Sequence, residues 1–458
     1  MTLAILGAGP AGVGAAYQAA RRKLGHVLIV EQRDTPGGNA GSFDLAGLRV
    51  DYGSHRLHPS CDPRILADLK ELLADDLDQR PRHGRIRLRN RWIGFPLRPV
   101  DLAWNLPPSF LFGTAADVIR KRFIAKSGEE SFASVLEAGL GRTVCRDFYF
   151  PFARKLWGLD PGELSPVQAR RRVSASTPAK MLRKTASGRW FYYPRRGYGQ
   201  ISEALEQAAK NQGAEFLFGT RVTGIDRDGQ RVTRVNYESR QSPASVECDV
   251  VLSTLPINYL ARAMDAPPGI LEAAARMSFR AMILIYLVLE QDQFSEYDAH
   301  YFPEEAIPIS RLSEPKNYAA LTEPRGRTVL CAELPCDPTS GHWNKTDGEL
   351  GEMVAEALRT AGIPLRAPPA LIATRRLAHA YPIYKRGFED DFATLDEWLQ
   401  HFTNLVTFGR QGLFAHDNAH HALHMAYCAV DCLNGDGSFD SARWEGFRRS
   451  FESHVVED

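Results

Sequence analysis

The sequence has almost no net charge, few cysteines and no long apolar run. Its 56 basic and 55 acidic residues give a formal charge of +1, which leaves no basis for nucleic-acid binding or for strong attraction to anionic membranes. No window reaches the roughly 18 apolar residues of a membrane span, and no basic leader precedes the apolar run at Leu3. We therefore expect a cytoplasmic protein with no nucleic-acid partner and no transmembrane segment.

Cysteine is too sparse and too scattered to build a disulfide framework. None of the seven cysteines forms a CxxC pair, and only Cys428 and Cys432 lie close together, at helical spacing. We interpret these two as small buried residues. With 44% hydrophobic and 24% charged residues, the 458-residue chain has the balance of a globular protein, and it is long enough for two or three domains.

Glycine is concentrated near the N-terminus, in a pattern that carries information. An apolar strand at residues 3–6 precedes Gly7, Gly9 and Gly12 in a G-x-G-x-x-G motif, and an alanine-rich helix and a second strand at 27–30 follow. The first glycine permits a tight turn, the second lets a pyrophosphate approach the backbone, and the third lets helix and strand pack closely. The helix N-terminus adds unpaired N–H groups. This order of strand, glycine motif, helix and second strand predicts a bound ADP moiety.

The second strand ends on Glu31, which is placed to accept hydrogen bonds from a ribose and argues against the 2′-phosphate of NADP. The motif alone does not distinguish NAD from FAD. Glycines then recur at Gly37, Gly38 and Gly53, where a pure NAD domain would enter its next strand–helix unit. Because such turns can lie along an extended cofactor, we predict FAD.

The remaining pattern predicts a mixture of strands and helices. "RHGRIRLRNRWIGFPLRP" (82–99) predicts a hairpin that turns at Pro96, residues 100–190 predict mainly helix, and residues 279–290 predict a long apolar strand. No repeat, low-complexity tract or linker separates these segments. We therefore expect insertions, and not a hinge, between the parts of the nucleotide-binding domain.

Several of these motifs resemble a known group of flavoproteins. The glycine motif with Glu31, "GTRVTGI" with "DVVLSTLP", and "FGRQGLF" before a last helix are similar to the superfamily of monoamine oxidase and protoporphyrinogen oxidase. Five further motifs resemble a narrower branch of this superfamily. That branch comprises the UDP-galactopyranose mutases and their relatives from polysaccharide and natural-product gene clusters. The motifs are "DYGSHRLHP", "FARKLWGLDPGELS", "YPRRGYGQISEAL", "ISRLSEPKNY" and "AYPIY". The resemblance covers nearly the whole chain.

The resemblance implies an α/β fold with a discontinuous, Rossmann-like FAD-binding domain and an inserted mixed α+β substrate domain. The FAD-binding parts would be 1–90, 195–265 and 390–458, with a helical substrate insertion at 91–194 and a substrate-domain sheet at 266–389. The expected partner is a small-molecule substrate, and a homodimer is left open as the oligomeric state.

The resemblance also implies which residues hold FAD. The first glycine turn and the acidic strand end would hold the ADP half, later turns would follow the ribityl chain and the isoalloxazine, and the last helix would cap the pyrimidine end. Val222 would present its backbone to the adenine. The full set is Gly7, Gly9, Ala11, Gly12, Glu31, Gln32, Gly38, Ser42, Ser54, His55, Val222, Gly409, Arg410, Asn418, Ala419 and His420.

The segment "FAHDNAHHALHM" (414–425) carries four of the thirteen histidines. His416, His420 and His424 repeat every four residues, so a continuous helix would place them on one face, as metal ligands require. Relatives carry an aromatic residue, Asn, Met and Asp where this chain has His416, Asn418, Ala419 and His420. In the relatives, a helix begins at these positions. Its N-terminus faces the N1/O2 edge of the flavin and stabilises the anionic, reduced form of the flavin. We predict a flavin cap and no metal.

The resemblance assigns substrate contacts by analogy with the mutases, in which arginines clamp the diphosphate of a nucleotide sugar and aromatic rings stack on uracil. The alternative is that the arginines lie on a solvated helix face and the tryptophan anchors the core. Because the flavin does the chemistry in this class, His55 is the only side chain named as a catalytic base. The predicted substrate residues are Trp157, Arg171, Arg311 and Tyr384, with Arg172 and Tyr381 as further candidates.

Three functions stay open at this stage. We rank first an FAD-dependent oxidoreductase, which moves a hydride to flavin N5 from a C–C bond or from a C–H next to an amine or hydroxyl, in a sugar or amino-sugar type substrate. The second is a redox-neutral isomerase of the mutase type, in which reduced flavin attacks an anomeric carbon. The third is a catalytically silent flavin-binding partner of a glycosyltransferase. The amount of reductant consumed per turnover distinguishes the first two.

Overall fold

A computed structural model describes residues 1–120, 130–172, 190–239 and 242–456 of the chain. The helices are α1 (Pro10–Arg21), α2 (Pro63–Leu73), α3 (Pro99–Asn105), α4 (Pro108–Arg120), α5 (Phe132–Leu140), α6 (Arg142–Val144), α7 (Phe150–Trp157), α8 (Pro166–Arg172), α9 (Gln200–Asn211), α10 (Ile257–Ala263), α11 (Pro268–Arg276), α12 (Pro315–Tyr318), α13 (Asp347–Thr360), α14 (Phe388–Gln400), α15 (Gly409–Gly412), α16 (Ala419–Asp431) and α17 (Ser441–Phe451).

The strands are β1 (Thr2–Leu6), β2 (His26–Val30), β3 (Ser42–Leu45), β4 (Leu48–Asp51), β5 (Leu77–Pro81), β6 (Gly84–Leu88), β7 (Arg91–Phe95), β8 (Trp190–Pro194), β9 (Glu215–Leu217), β10 (Arg221–Asp228), β11 (Arg231–Glu238), β12 (Pro243–Glu247), β13 (Val250–Ser253), β14 (Phe279–Leu289), β15 (Ala299–Tyr301), β16 (Arg311–Ser313), β17 (Thr328–Cys336), β18 (Leu371–Pro382) and β19 (Leu405–Thr407). Short two-stranded sheets pair β3 with β4 and β5 with β8.

A five-stranded parallel sheet, in the order β19-β13-β1-β2-β9, is assembled from distant parts of the chain. Parallel strands are covered on both faces, which explains why β1 is apolar and buried from Leu3 to Leu6. Leu3 and Ile5 face the layer that contains α1 and α16, whereas Ala4 and Leu6 face the layer that contains α10 and α14. The nucleotide-binding sheet is therefore discontinuous in sequence.

Helices α1 and α16 pack closely on one face of this sheet. A Cβ atom at Gly14 would lie 2.9 Å from Leu423 Cδ2 and 3.3 Å from Ala426 Cβ, so a side chain at this position would force the helices apart. Because α1 begins just after β1, and α16 begins after β19 and the short α15, the contact fixes the two helix N-termini relative to each other.

A seven-stranded sheet, in the order β18-β14-β17-β16-β15-β6-β7, forms the second layer. Its strand β14 confirms the prediction for residues 279–290 and is almost entirely buried. The hairpin expected at 82–99 is present as β6 and β7, but the turn at Pro96 was wrong. The chain turns at Arg89 and Asn90, which take left-handed backbone angles of φ 50° and 60° that asparagine tolerates well.

The predicted domain limits stay a prediction. The boundary at residue 90 falls inside the β6–β7 hairpin, which pairs with β15 of the second sheet. Residues 99–120 and 130–172 hold α3 to α8, as the helical pattern predicts, and residues 121–129 and 173–189 lie outside the described ranges. All seven cysteines are free thiols and buried. No helix in the described ranges combines the length and the apolar character that crossing a bilayer requires.

The side chain of Asn404 joins the parallel sheet to the antiparallel sheet of β10, β11 and β12. Its amide oxygen accepts from the Val232 N–H at 2.8 Å, and its amide nitrogen donates to the carbonyls of Val232 and Asp249, each at 2.8 Å. Asn404 is 3% exposed and pairs with both backbone groups of the buried Val232, whereas the Asp249 carbonyl also accepts from Arg231 Nη2 at 3.1 Å.

We expect Asn404→Ala to lower the free energy of unfolding by about 2–4 kcal/mol, because it leaves buried backbone groups unsatisfied. Denaturant unfolding monitored by circular dichroism would measure the change. Asn211→Ala, at an exposed helix end, is the matched control and should stay within about 0.5 kcal/mol of the parent. Equal stabilities for the two variants would contradict this role of Asn404.

Candidate functional site: an FAD cavity capped by a helix

A cavity of about 570 Å³ extends from the first glycine turn to the start of α16, a volume within the range of small-molecule and cofactor sites. Pro10 and Ala422 also border it, so the N-terminal turns of both α1 and α16 open into it. Twelve of the predicted cofactor residues line this cavity: Gly7, Gly9, Ala11, Glu31, Gln32, Gly38, Ser54, His55, Val222, Arg410, Asn418 and Ala419.

The ADP end has the geometry that the glycine motif predicts. A Cβ atom at Gly12 would lie 1.8 Å from the Gly7 carbonyl oxygen, so the third glycine permits the close turn. A Cβ atom at Gly9 would meet nothing within 4 Å, which leaves space for a pyrophosphate beside the helix N-terminus. These contacts fit the phosphates of a dinucleotide.

The Glu31 carboxylate is held at the end of β2 by two backbone donors. Its Oε2 accepts from the Ala8 N–H at 2.7 Å, and its Oε1 accepts from the Arg33 N–H at 2.8 Å. The side chain is only 7% exposed and borders the cavity, so its orientation is fixed before a ribose binds. The geometry fits the predicted role.

Several cavity residues were not predicted from the sequence. The segment that follows β13 contributes Thr254, Leu255 and Pro256, and the Tyr259 hydroxyl donates to the Val222 carbonyl at 2.5 Å. The three residues after β13 end the motif "DVVLSTLP", and the rule that ligands bind beyond the carboxyl ends of parallel strands would have added them. Gln411 also borders the cavity, and its buried Oε1 has no hydrogen-bond partner among the described residues.

The middle of the cavity is formed by Ser54 and His55. The Ser54 N–H donates to Glu333 Oε1 at 2.9 Å, which ties this segment to the second sheet. Burial lowers the pKa of His55, and the negative charge of Asp51 opposes this only in part. His55 Nε2 lies 3.0 Å from the Tyr52 carbonyl oxygen, which can only accept, so this nitrogen carries the proton. The imidazole is therefore neutral near pH 7.

Four predicted cofactor residues lie behind the cavity wall. Gly12 and Gly409 permit close backbone packing, since a Cβ atom at Gly409 would lie 2.8 Å from Ala11 Cβ. Ser42 Oγ donates to Asp51 Oδ1 at 2.6 Å and accepts from the Gly199 N–H at 2.7 Å. His420 is buried within α16. Their direct contact with FAD stays a prediction.

The predicted capping helix, α16, begins where the sequence predicts, but it is not the last helix, because α17 follows it. Asn418 is the N-cap of α16, and His421 Nδ1 accepts from the Asn418 N–H at 3.3 Å. The expectation that His416, His420 and His424 could share one helix face was wrong, because His416 precedes the helix. Its ring instead stacks on Tyr381, with centroids 5.0 Å apart and an interplanar angle of 20°.

Asp417, between this stacked ring and the N-cap, is a fully buried carboxylate that contacts an arginine and two histidines. Arg171 Nη1 lies 3.2 Å from Oδ1, and His454 Nδ1 lies 3.0 Å from Oδ2. Burial alone would raise the pKa of Asp417, but the His454 hydrogen bond and the charges of His421 and Arg171 outweigh it, and the pKa is lowered. Asp417 is therefore ionised at neutral pH.

The structure brings only one of the four predicted substrate residues to the cavity in the described ranges, and that residue is Arg311. Arg311 forms a two-pronged ion pair with Glu333, with both contacts at 2.9 Å. Arg171 pairs with Asp417, and Trp157 is buried against Phe132. Tyr384 donates its hydroxyl to the Phe414 carbonyl at 2.9 Å and accepts from the His416 N–H at 2.9 Å.

The fold and the cavity together define a dinucleotide-binding flavoprotein. The family model described as flavin containing amine oxidoreductase matches residues 10–414, and the chain belongs to that family. FAD is accordingly its cofactor, and it is an FAD-dependent oxidoreductase by family. When bound, FAD supplies the redox chemistry, and the residues above would hold and orient it.

The chain is similar to several known proteins. It is 23% identical to a chloroplastic protoporphyrinogen oxidase of Oryza sativa subsp. japonica, over 84% of this chain and 79% of that protein. It is 27% identical to a phytoene dehydrogenase of Streptomyces griseus, over 56% of this chain, and the match spans 54% of that protein. A structure of reduced UDP-galactopyranose mutase shares the fold, with a TM-score of 0.78 at 20% identity, over 94% of this chain and 93% of that one.

Two glycine substitutions should separate cofactor binding from folding. Gly9→Ala should lose most of its FAD, because its methyl group enters the space for the pyrophosphate, but it should fold with a thermal midpoint close to that of the FAD-free parent. Gly12→Ala should lower the midpoint sharply or prevent folding, because its methyl group collides with the Gly7 carbonyl. Flavin absorbance per protein and thermal unfolding are the measurements. A Gly9→Ala protein with a full complement of FAD would show that the pyrophosphate binds elsewhere.

Proposed function

We propose that this FAD-dependent oxidoreductase removes a hydride from a carbon that bears a hydroxyl or an amine in a sugar or amino-sugar type molecule. The stacked pair of Tyr381 and His416 supports this assignment, because it lines the cavity directly before the helix that caps the flavin. The two rings form a flat aromatic surface, and His416 Nδ1 lies 3.3 Å from Gln168 Nε2. Such a surface suits a polar, ring-shaped substrate.

The single observation that carries the choice over a mutase is the pairing of the two candidate clamp arginines. Arg311 is bound to Glu333, and Arg171 is bound to Asp417, and both carboxylates are almost fully buried. A cation that already neutralises a buried carboxylate has little charge left for a diphosphate. The pairing supports a substrate without a diphosphate and therefore favours oxidation over nucleotide-sugar isomerisation.

A mutase-type isomerase is the second candidate, and the motifs around Trp157 and Tyr381 favour it through their resemblance to that branch. In that reading, reduced FAD would act on a nucleotide sugar without net electron transfer.

His55, which is neutral and borders the cavity, is the proposed base in the oxidation.

An anaerobic titration distinguishes these functions. Purified oxidised enzyme is mixed with candidate sugars, amino sugars and nucleotide sugars, and the flavin absorbance is followed. We expect a sugar or amino sugar to bleach the flavin without any added reductant. A flavin that no candidate substrate bleaches, in an enzyme that isomerises a nucleotide sugar only after chemical reduction, would establish the mutase instead. A flavin that neither a substrate nor NAD(P)H reduces would indicate a silent binding partner.

Two tyrosines near His416 should have separable roles. Tyr381→Leu should retain its FAD but slow substrate-driven flavin reduction by about tenfold or more, which corresponds to about 1.4 kcal/mol in the barrier. Tyr384→Phe is the companion variant. It loses the hydroxyl that holds the turn before α16, so its FAD content should fall. Stopped-flow reduction rates and flavin content are the measurements, and an unchanged reduction rate in Tyr381→Leu would remove this residue from the substrate site.

A further inference from the structure

Three potential metal ligands meet beside the flavin-capping helix, and they are not the three histidines that the sequence spacing suggests. Asp417 precedes the helix, His421 lies in its first turn, and His454 lies in the tail after α17. One ligand atom from each residue lies within 4.8 Å of the others. The two imidazole rings stack with centroids 4.2 Å apart and an interplanar angle of 10°.

We propose that Asp417, His421 and His454 bind one divalent transition-metal cation of the zinc class. Two imidazole nitrogens and one carboxylate oxygen are a donor set that zinc and similar cations prefer. His454 Nδ1 lies 3.0 Å from Asp417 Oδ2, and His421 Nδ1 lies 3.9 Å from Asp417 Oδ1. Both rings therefore present Nδ1 to the same carboxylate, and water would complete the coordination.

The surroundings of the three residues resemble the supporting hydrogen bonds of metal sites. Arg171 donates to Asp417 Oδ1, and a hydrogen bond of this kind orients a ligating carboxylate. His421 Nδ1 accepts from the Asn418 N–H, which requires a lone pair on Nδ1 and places the ring proton on Nε2. This is the tautomer that coordinates through Nδ1. The cation would displace this 3.3 Å hydrogen bond and the proton shared by His454 and Asp417.

The cation would tie the C-terminal tail to the flavin cap. His454 lies two residues before Val456, whose N–H donates to the Arg171 carbonyl at 2.9 Å and whose side chain borders the cavity. Asp417 belongs to the cap, because its carbonyl accepts from Arg410 Nη1 at 3.1 Å. A cation at this site would therefore stabilise the tail against the cavity wall. The alternative is a cluster of ion pairs and hydrogen bonds that needs no metal.

The test uses the full-length holoenzyme without a histidine tag. After dialysis against a chelator and then against metal-free buffer, Zn²⁺ is titrated by calorimetry, and bound zinc is measured after gel filtration. We expect about one zinc per chain in the parent, loss of this zinc in His454→Ala and Asp417→Asn, and retention in His424→Ala. His424 is the matched control, because it lies on the same helix but outside the proposed ligand set.

A second readout does not depend on variants that fold poorly. In the parent protein, Zn²⁺ should raise the thermal midpoint by several degrees and slow removal of the C-terminal residues by a serine carboxypeptidase severalfold, whereas Mg²⁺ should do neither. Failure of zinc to bind the parent, or equal zinc binding in the parent and His454→Ala, would overturn the proposal and leave the metal-free cluster. Loss of zinc in His424→Ala would overturn this ligand set.

Discussion

The cofactor site depends on the close contact between α1 and α16. Gly14 leaves room for Leu423 and Ala426, so the two helices approach each other with no side chain between them at this position. Each helix begins at the cavity, and each N-terminus carries a partial positive charge. One contact thus orients two anion-binding ends, of which the first suits a pyrophosphate and the second suits the negative charge of a reduced flavin.

The start of α16 presents an electrostatic problem, because Asp417 places a buried negative charge directly before the helix N-terminus. An uncompensated carboxylate there would oppose a second negative charge on the flavin. Arg171 and His454 contact the carboxylate, and Arg410 donates to the carbonyl of the same residue. Asp417 itself borders the cavity, and the positive charge of Arg171 offsets that of its carboxylate, so the helix N-terminus can still act on a bound cofactor.

The parts that the sequence predicts are those encoded within a short stretch of chain. The glycine turn, the acidic strand end and the N-cap at Asn418 depend on neighbours in sequence, and the structure has them as expected. The position of His416 depends on Tyr384, 32 residues away, whose hydroxyl holds the preceding turn. The arginine pairs depend on partners 22 and 246 residues away. No local pattern contains such pairings, and they decide what the arginines can bind.

These pairings also limit the chemistry of the substrate. To bind a diphosphate, Arg311 would have to leave Glu333, and Arg171 would have to leave Asp417. Removing one partner from a buried ion pair costs about 3–5 kcal/mol, because a buried charge is left without compensation. The diphosphate would have to offset that cost at each arginine before it gained any affinity. The pair of Tyr381 and His416 requires no such exchange, since its rings already line the cavity and stack on each other. We therefore propose a substrate that the cavity recognises by ring stacking and hydrogen bonds.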